Sequence, residues 1–593
     1  MTDLMSPGGD RIEDELDATA QVPVGRSRLQ LSVRRRAPII AIVGPIAVIM
    51  AFLVIYPILK ILDQAFLSHN ALSSNGSISA TFTDPALVPA LENTAILLVV
   101  SGGLALLIGS LLAWLNERTD ARIGWTGDVL PILPLMLPPV AAAIGWTFLL
   151  APHPGFLNVA FRAVFDPNGP ATAGGPLNIY TLIGIIFVTT LSAVPFVYLT
   201  MAAALRRLDP SLEEASRMSG AGAFRTFFRV TLPALRNALA AASALVLITI
   251  ISMFAIPLVI GEQAGVNVLS VLIFQVLFIT SPPSLNQAVV LGVFMLLAVQ
   301  LIVLAQYTMS RRARHATIGG TAGTSSLVSL GAWRWPFRVF MVTYLGVTTV
   351  LPIGGLVLVS LEHFWSASIP WRQLSFTSYQ QLFDNQNSLR QALENSLILA
   401  VLAATSLMII AALMVVLIQS SSPIVARLVN WVTALPSSLP HIVVGLGLLI
   451  SFGVGRFSLA GTLLLLYIAY LILFIPQAMR SAEAAHSQVG RVLTEASLMS
   501  GASQWRTFVR VLLPLMFYGL IAGWVIIFAQ TMSEMTAGIF LSNSSNPVVG
   551  PVILVQWLVG GTYPSLAALT LLVTLIQSAV VLGILFVTRR RQA

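Results

Sequence analysis

Long apolar runs alternate with short polar, arginine-bearing segments along almost the whole chain. A helix needs about 20 apolar residues to cross the core of a bilayer. Twelve runs reach that length and predict transmembrane helices at 38–62, 93–115, 127–151, 180–204, 237–261, 286–308, 337–361, 394–419, 430–453, 459–479, 517–541 and 563–588. The stretches 267–280 and 548–559 are too short to span easily. We interpret them as periplasmic or re-entrant segments before the sixth and twelfth helices.

The apolar pattern occurs twice. ALENT at Ala90–Thr94 recurs as ALENS at Ala392–Ser396, a shift of 302 (392 − 90), whereas Pro195 recurs as Pro476 at a shift of 281 (476 − 195). A longer loop near 152–179 explains the difference. Six runs is an even number, so the two halves have the same orientation. The sequence therefore predicts an all-α membrane fold, with twelve transmembrane helices in two parallel six-helix repeats about the membrane normal.

The boundaries of the apolar pattern predict five regions. Residues 1–37 are polar and are expected to form a disordered cytoplasmic tail. No small-residue cleavage site follows the first apolar run, so we expect a membrane anchor there and not a removed signal peptide. The remaining regions are a first six-helix repeat at 38–308, a cytoplasmic linker at 309–336, a second repeat at 337–588 and a short cytoplasmic tail at 589–593.

Composition supports a membrane protein, and the placement of charge orients it. The chain is 56% hydrophobic and 9% charged, with a mean hydropathy of +0.88. Its net charge is +9, and its basic residues are 31 Arg and Lys60. With the N-terminus inside, 27 basic residues lie in inside segments and 5 in outside segments, so both termini are predicted to be cytoplasmic. Because topology accounts for the basic excess, no nucleic-acid partner is expected.

Several kinds of chemistry lack the residues that they need. There are no cysteines, which excludes disulfides and thiolate chemistry. A phosphate-binding GxxxxGK[ST] loop needs a lysine, and the only lysine, Lys60, ends the first apolar run. The six histidines are scattered, and neither HExxH nor GxSxG occurs. We therefore predict a non-enzyme subunit with no catalytic, cofactor or metal site, whose ATPase, if transport is ATP-driven, is a separate polypeptide.

One polar motif occurs once in each half. EASRMSGAGAFRTFFRVTLP at Glu214–Pro233 and EASLMSGASQWRTFVRVLLP at Glu495–Pro514 agree at 14 of 20 positions. Each is predicted to form two short helices around a turn at Gly220 or Gly501, where a helix end favours a residue that tolerates positive φ. The acidic residue is expected in the first turn, where it complements the helix dipole. Such a surface suits docking to another protein; the simpler alternative is a pair of helices resting on lipid headgroups.

This motif resembles the cytoplasmic EAA loop of bacterial ABC-importer permeases, in which the loop contacts an ATPase subunit. Both copies read Glu-Ala-Ser where the family has Glu-Ala-Ala. The whole chain also resembles, more weakly, the fused permeases of the iron(III), thiamine, polyamine and aminoethylphosphonate importers. The resemblance assigns ATPase coupling to equivalent residues of the two copies: Glu214, Ala215, Gly220 and Pro233, and Glu495, Ala496, Gly501 and Pro514.

The resemblance also implies partners and a mechanism. Two cytoplasmic ABC ATPase subunits would grip the two EAA loops, and a periplasmic or lipid-anchored solute-binding protein would deliver the solute. The chain would then lie in the bacterial inner membrane and form the whole translocation pathway by alternating access. Iron(III) is the first expectation for the solute; thiamine, polyamine and aminoethylphosphonate stay open.

Polar residues within the eleventh apolar run are candidates for the pathway. Charge at membrane depth is costly, about 2.5–3.5 kcal/mol on insertion scales. Gln530, Ser533 and Glu534 have helical spacing and would share one face. They could line the pathway between the halves, or they could form an interhelical hydrogen-bond clamp. His441, after Pro440 in the ninth run, is either a packing residue or part of a gate.

Two other functional classes fit parts of this pattern. An ion-coupled secondary transporter with twelve spans would explain the parallel repeat and Glu534. It gives no reason for two EAA loops, and it would predict more carboxylates within the membrane. A membrane scaffold without transport explains neither the prolines at mid-membrane nor the polar stripe.

Overall fold

The computed structural model describes residues 27–66, 77–123, 133–165, 174–312, 327–384, 388–453, 458–560 and 563–590. The chain in these ranges is almost entirely helical, and its one β-type pairing is an isolated bridge between Thr119 and Val328. The first helix begins at Ser27, inside the segment predicted to be a disordered tail. The rest of that tail, residues 1–26, lies outside the described residues, as does much of the predicted linker, residues 313–326.

The described part of the first half contains twelve helices. They are α1 Ser27–Phe66, α2 Ser77–Phe82, α3 Leu87–Arg118, α4 Pro139–Leu150, α5 Phe156–Phe165, α6 Leu182–Arg207, α7 Ser211–Met218, α8 Ala223–Ala234, α9 Arg236–Ser252, α10 Ala255–Ala264, α11 Leu269–Phe278 and α12 Leu285–Arg312. A short 3-10 turn at Leu133–Met136 precedes α4.

The second half has a similar order of elements, but the two helices α8 and α9 correspond to one helix there, and among the described residues α5 has no counterpart. Its helices are α13 Gly331–Leu361, α14 Thr377–Leu382, α15 Ser388–Ser420, α16 Pro423–Ser438, α17 His441–Phe452, α18 Leu463–Ser487, α19 Arg491–Met499, α20 Gln504–Met532, α21 Thr536–Leu541, α22 Val549–Val559 and α23 Tyr563–Arg590. Even a local distortion is repeated, because π-helical turns lie at Phe227–Thr231 and Phe508–Leu512, again at the shift of 281 (508 − 227).

The all-α membrane fold is confirmed, but four of the predicted spans are not continuous helices. Among the described residues, nine helices are long and apolar enough to cross a membrane, or up to twelve if each of three bent pairs counts as one span. The run 127–151 is represented by the short helix α4, and the run 430–453 by α16 and α17, which meet at 107°. Each of the runs 237–261 and 517–541 contains a break, where one helix ends and the next begins.

Proline explains where several of these helices begin. Pro139 and Pro440 occupy the start of α4 and the position before α17, where a missing backbone N–H costs nothing. Pro195 and Pro476 lie inside α6 and α18 instead. These prolines therefore divide into two groups, and only Pro195 and Pro476 lie within a helix, where a proline can kink it.

The first helix of each half packs against the other half. α1 lies against α15 and α17, and α13 lies against α4. Glycines allow this approach: a Cβ on Gly145 would lie 2.5 Å from the Pro352 carbonyl oxygen, and one on Gly447 would lie 2.7 Å from Ile61 Cδ1. The two glycines correspond at the shift of 302 (447 − 145), so the same close contact is made twice. The halves are thus joined by exchanged helices.

The ALENT and ALENS segments hold the two short helices α11 and α22. The hydroxyl of Thr94 accepts a hydrogen bond from the Leu269 N–H at 2.9 Å, and that of Ser396 accepts one from the Val549 N–H at 2.9 Å. Such bonds satisfy backbone donors that a helix N-terminus leaves unpaired. The segments predicted to be periplasmic or re-entrant are therefore helices, held at their N-termini by α3 in the first half and by α15 in the second.

Candidate functional site

The two motif copies fold alike. We call residues 211–234, comprising α7 and α8, the first EAA loop, and residues 491–515, comprising α19 and the start of α20, the second EAA loop. Each has a short helix, a glycine turn and a second helix that begins before the π-helical turn. The predicted arrangement of two helices around a glycine turn is confirmed in both copies.

The glycine turns close the short helices with one hydrogen-bond pattern. The Gly220 N–H donates to the Arg217 carbonyl at 2.9 Å, and the next N–H, that of Ala221, reaches back to Ser216 at 3.2 Å. In the second EAA loop, the N–H groups of Gly501 and Ala502 donate to the carbonyls of Leu498 and Ser497 at 3.1 and 3.2 Å. This Schellman arrangement requires a left-handed residue, and φ is 82° at Gly220 and 86° at Gly501. Glycine is therefore favoured at this position of both loops, because the backbone there has positive φ.

The serine of Glu-Ala-Ser closes each loop on itself. The Ser216 hydroxyl lies 3.0 Å from that of Thr226, and the Ser497 hydroxyl lies 2.9 Å from that of Thr507. Alanine at this place could not make the bond. The departure from Glu-Ala-Ala is therefore used in the structure to tie the two helices of each EAA loop together.

The acidic residues differ between the copies. In the first EAA loop, Glu213 and Glu214 both lie in the first turn of α7, but Glu213 is buried while Glu214 is only partly covered. In the second, α19 begins at Arg491, so Glu495 lies beyond the first turn and is exposed. The expectation of an acidic first turn is correct for the first copy and wrong for the second. The other six predicted coupling residues are exposed: Ala215, Gly220, Pro233, Ala496, Gly501 and Pro514.

Each EAA loop presents one large apolar side chain to the surroundings. Met218 is 90% exposed and Met499 is 88% exposed. The two methionines correspond at the shift of 281 (499 − 218), and both end the short helix just before the glycine turn. An apolar side chain exposed at the same place in two copies is a mark of a binding surface, since singly exposed apolar residues follow no such repeat.

A buried ion pair connects the first EAA loop to the helices beside it. The Arg118 guanidinium lies 3.7 Å from the Glu213 carboxylate, and both side chains are about 95% buried. Arg118 also donates to the carbonyls of Leu205 and Leu208 at 2.6 Å each, and Glu213 accepts a hydrogen bond from the Thr231 hydroxyl at 2.7 Å. One cation thus joins the end of α3, the end of α6 and α7.

A half-buried carboxylate, Asp209, precedes the same loop. The Ser211 backbone N–H donates to Asp209 at 2.9 Å. This bond and one from the Ser211 hydroxyl hold the pKa of the Asp209 carboxyl below its usual value. Asp209 therefore stays ionised at the N-terminal side of α7, where the helix dipole favours a negative charge.

The predicted pathway residues do not share a helical face. α20 ends at Met532, so Gln530 lies in its last turn while Ser533 and Glu534 lie in the break before α21. Gln530 is exposed and Ser533 half-buried. Glu534 is buried, and its carboxylate accepts hydrogen bonds from the N–H groups of Thr536, Ala537 and Gly538 at 3.1–3.2 Å. The stripe predicted on one face is therefore wrong in geometry, because the helix stops before it.

His441 completes the arrangement around this break. Its Nδ1 lies 3.2 Å from Glu534 Oε1, and its ring packs edge-on against Phe474. The Glu534 side chain is 3% exposed but that of His441 is 39% exposed. At the shifts of 302 and 281, the counterparts of His441 and Glu534 are Pro139 and Met253, so the pair belongs to the second half alone. The buried carboxylate that caps α21 therefore contacts the partly exposed imidazole of His441.

Two residues of these sites, Arg118 and Glu213, are not indicated by the sequence alone. Arg118 contributes to the predicted topology as one of the inside charges, and Glu213 stands next to the motif residue Glu214. No signal in the sequence marks Arg118, because arginines follow many of the apolar runs, but two adjacent acids are unusual among the helical segments of so apolar a chain. Their pairing could not be found, since Arg118 and Glu213 lie far apart in the sequence.

Comparison with known proteins gives a consistent result. Residues 105–315 match the family described as binding-protein-dependent transport system inner membrane component. A putative ferric transport system permease protein FbpB 1 of Haemophilus influenzae is 24% identical over 517 residues, covering 86% of this chain and 79% of that protein. A probable ABC transporter permease protein, y4fN of Sinorhizobium fredii, is 28% identical and covers 77% of this chain and 79% of its own.

Two further similarities cover about half of the chain or less. A putative 2-aminoethylphosphonate transport system permease protein, PhnU of Salmonella paratyphi A, is 28% identical over 243 residues, which are 40% of this chain and 80% of that protein. Among solved structures, a bacterial ABC transporter involved in the import of the acidic polysaccharide alginate covers 48% of this chain and 99% of its own, at 19% identity and a TM-score of 0.39.

Proposed function

We propose that this chain, which carries the permease domain of binding-protein-dependent transport systems, is the permease of an ABC importer in which each EAA loop docks on one ATPase subunit. The observation that carries the proposal is the repeated surface: two loops of one fold, each presenting an almost fully exposed methionine. Two such surfaces fit two copies of one partner. The chain would then supply the whole translocation pathway, because both halves lie in one polypeptide.

Methionine suits this role for physical reasons. Its flexible, polarisable side chain adapts to a groove on a partner, and apolar side chains at the centre of an interface often dominate its affinity. In the first EAA loop the apolar surface continues at Phe228, which is 53% exposed, and in the second at Val492, which is 76% exposed. The eight residues that the EAA resemblance assigns to coupling belong to the same two loops.

We assign the EAA loops and both termini to the cytoplasm, where ATP is available. The support is the distribution of basic residues, 27 in inside segments against 5 outside. A solute-binding protein, periplasmic or lipid-anchored, would then deliver the solute to the opposite face in the bacterial inner membrane. ATP hydrolysis belongs to the ATPase subunits in this proposal, and the permease converts their movement into alternating access.

We further propose that the solute is iron(III). The support is that relatives similar over 86% of this chain are named as ferric transport permeases. A shorter similarity, over 40% of the chain, is to a permease named for 2-aminoethylphosphonate. In this proposal the break after α20, with Gln530, Ser533 and Glu534, lies along the solute pathway, and iron passes as cargo.

Docking is tested by changing the exposed methionines. The variant Met218→Asp/Met499→Asp places two charges on the proposed interfaces without disturbing buried residues. We expect the wild-type permease, purified from membranes in mild detergent, to retain its ATPase subunit and the double variant to lose it. The two single variants should each retain part of it.

A matched control is Phe364→Asp, which charges another exposed apolar residue, 76% exposed, outside both EAA loops. It should retain the ATPase subunit in full. Recovery of the ATPase with the double variant at the wild-type level would overturn the assignment of the two loops as the docking sites.

A further inference from the structure

The start of α13 carries exposed aromatic and basic side chains. The helix begins at Gly331, within the segment predicted as the linker. Trp333 is 64% exposed and Trp335 is 58% exposed, and Arg334 between them is exposed as well. We call Trp333, Arg334, Trp335 and Arg338 the α13 patch. Large rings beside guanidinium groups suit a partner that offers both apolar surface and negative charge.

The α13 patch continues an apolar stripe on one side of the helix. Val339, Val342 and Val350 follow Trp335 at helical spacing, and all three are exposed. Met341 and Tyr344, on the other side of α13, are buried. An exposed apolar stripe on a membrane-spanning helix faces acyl chains, and tryptophan is enriched where such a helix reaches the headgroups. Trp335 therefore marks the depth of the lipid headgroups on the side of the EAA loops.

Two guanidinium groups lie over the Trp335 ring. The Arg334 Cζ is 5.6 Å from the ring centroid, and the Arg338 Cζ is 5.1 Å from it. Both distances are within the range of about 6 Å in which a cation is attracted to an aromatic face. A guanidinium that stacks on a ring uses its own face, so the N–H groups at its edge can still donate to a phosphate. Trp335 thus gathers two positive charges at headgroup depth.

The end of α3 holds Arg338 in place. Its Nη2 donates to the Asp120 carbonyl oxygen at 2.9 Å, and its Nε donates to that of Ala121 at 3.3 Å. The Asp120 carboxylate accepts a hydrogen bond from the Leu330 N–H at 3.0 Å, just before α13. These bonds use two of the three guanidinium nitrogens of Arg338. A side chain that is already ordered loses less entropy when it binds a ligand.

The local charge favours an anion. The two described segments that meet here, 118–123 and 327–345, contain four arginines and one carboxylate: Arg118, Arg122, Arg334, Arg338 and Asp120. Arg118 is paired with Glu213. Three arginines therefore remain against a single aspartate. Such an excess of positive charge at headgroup depth attracts anionic lipids in preference to neutral ones.

We propose that the α13 patch binds the headgroup of an anionic phospholipid, with the phosphate at Arg334 and Arg338 and the acyl chains along Val339 and Val342. A lipid is favoured over a protein because the patch is continuous with the lipid-facing side of α13. Phe337, between the two arginines, lies 5.7 Å from Phe224 of the first EAA loop, centroid to centroid. The bound lipid therefore lies beside that loop. Its binding does not depend on the partner assigned to the loop.

Native mass spectrometry of the full-length permease in mild detergent tests this site. The probes are phosphatidylglycerol, which is anionic, and phosphatidylcholine, which has no net charge, with identical acyl chains. We expect the wild type to bind its first phosphatidylglycerol about ten-fold more tightly than phosphatidylcholine. Arg334→Gln should weaken that binding about five-fold, as expected for the loss of one arginine beside an anionic headgroup. Trp335→Leu, which keeps apolar surface but removes the ring, should weaken it as well.

The matched control is Arg207→Gln, which removes an exposed arginine from the end of α6, away from any residue of the α13 patch in the sequence. It should keep the affinity of the wild type for phosphatidylglycerol. Equal affinities of the wild type for the two lipids would overturn the proposal, as would an unchanged affinity in both Arg334→Gln and Trp335→Leu. Both altered residues are exposed, so the variants should unfold at the wild-type temperature in phosphatidylcholine. If one does not, the other variant decides.

Thermal unfolding in lipid nanodiscs gives an independent readout. A ligand that binds only the folded state raises the midpoint of unfolding. Replacing part of the phosphatidylcholine by phosphatidylglycerol is expected to raise the midpoint of the wild type and of Arg207→Gln by the same few degrees. The midpoint of Arg334→Gln should rise less. Equal shifts in all three proteins would indicate a general effect of membrane charge and contradict a site at α13.

Retention of the ATPase subunit separates a lipid from a protein partner. Arg334→Gln should retain the subunit at the wild-type level in mild detergent. Loss of the subunit from Arg334→Gln, with unchanged binding of phosphatidylglycerol, would assign the α13 patch to ATPase docking and overturn the lipid site. A wild-type permease that binds no ATPase would refute the proposed function and leave the lipid measurements valid.

Discussion

At the scale of residues, two glycines decide how closely the halves approach. Gly145 faces the Pro352 backbone and Gly447 faces Pro57 and Ile61, in each case where the first helix of one half crosses the other half. Each of the two helices that cross into the other half, α1 and α13, therefore brings a proline against a glycine of that half. A larger side chain at Gly145 would meet backbone atoms of the crossing helix, which cannot move aside as a flexible side chain could.

Gly145→Ala is therefore expected to destabilise the permease by about 1–3 kcal/mol, as overpacking of a tight helix contact does. The measurement is the midpoint of thermal unfolding in detergent. Gly103→Ala is the control: it lies in α3 with nothing within 4 Å of a built Cβ, so it should keep or slightly raise the midpoint. Equal midpoints for the two variants would contradict the close approach at Gly145.

At the scale of elements, the informative feature is the break between α20 and α21. Glu534 lies in this break and caps the second helix, because its carboxylate accepts hydrogen bonds from the first N–H groups of α21. These contacts agree with the second of the two roles predicted from the sequence, an interhelical hydrogen-bond clamp, because Glu534 also contacts His441 on α17. The pathway role stays a prediction, and its most direct candidate is now Gln530, whose exposed side chain is free of any capping duty.

Uptake of radiolabelled ferric iron by cells tests that role and the proposed solute together. We expect Gln530→Ala to lower uptake several-fold with no change in unfolding temperature. Glu534→Gln should lower both, because hydrogen bonds to a charged group contribute about 1.5–3 kcal/mol each. Gln373→Ala, an exposed glutamine elsewhere, is the control. Wild-type uptake in both variants would remove these residues from the pathway, and saturable uptake of 2-aminoethylphosphonate in place of iron would change the solute.

At the scale of the whole molecule, exchanged helices make one unit of two repeats. α1 packs against α15 and α17, α13 packs against α4, and the Trp557 indole of α22 donates to the Val259 carbonyl of α10 at 3.1 Å. Burial is therefore shared between the two halves of the chain. The predicted division at residues 309–336 would separate two chains that still interlock.

Expression of the halves as separate chains, divided within residues 313–326, should therefore give an associated pair. An affinity tag on one half is expected to retain the untagged other half through purification. A first half that begins after α1, at Ser77, removes one of the two exchanged helices and should recover much less of its partner. Complete separation of the intact halves in mild detergent would contradict the proposed interlocking.

The sequence by itself determined the fold class, the repeat and the two EAA loops. These follow from local and periodic signals: the length of an apolar run, its recurrence at fixed shifts, and a glycine placed where a helix must end with positive φ. The EAA loops could be predicted as helix–turn–helix units for the same reason, since every bond that closes them joins residues close together in the sequence.

The tertiary structure alone decided which helices break and which distant residues meet. An apolar run says that a segment is buried in membrane or protein, but continuous and broken helices bury equally apolar residues, so the breaks after Ser252 and Met532 could not be read from it. The pairing of Arg118 with Glu213 and of His441 with Glu534 likewise depends on packing between helices far apart in the chain. Charge pairs of this kind carry no periodic signal, because they form only once the helices are assembled.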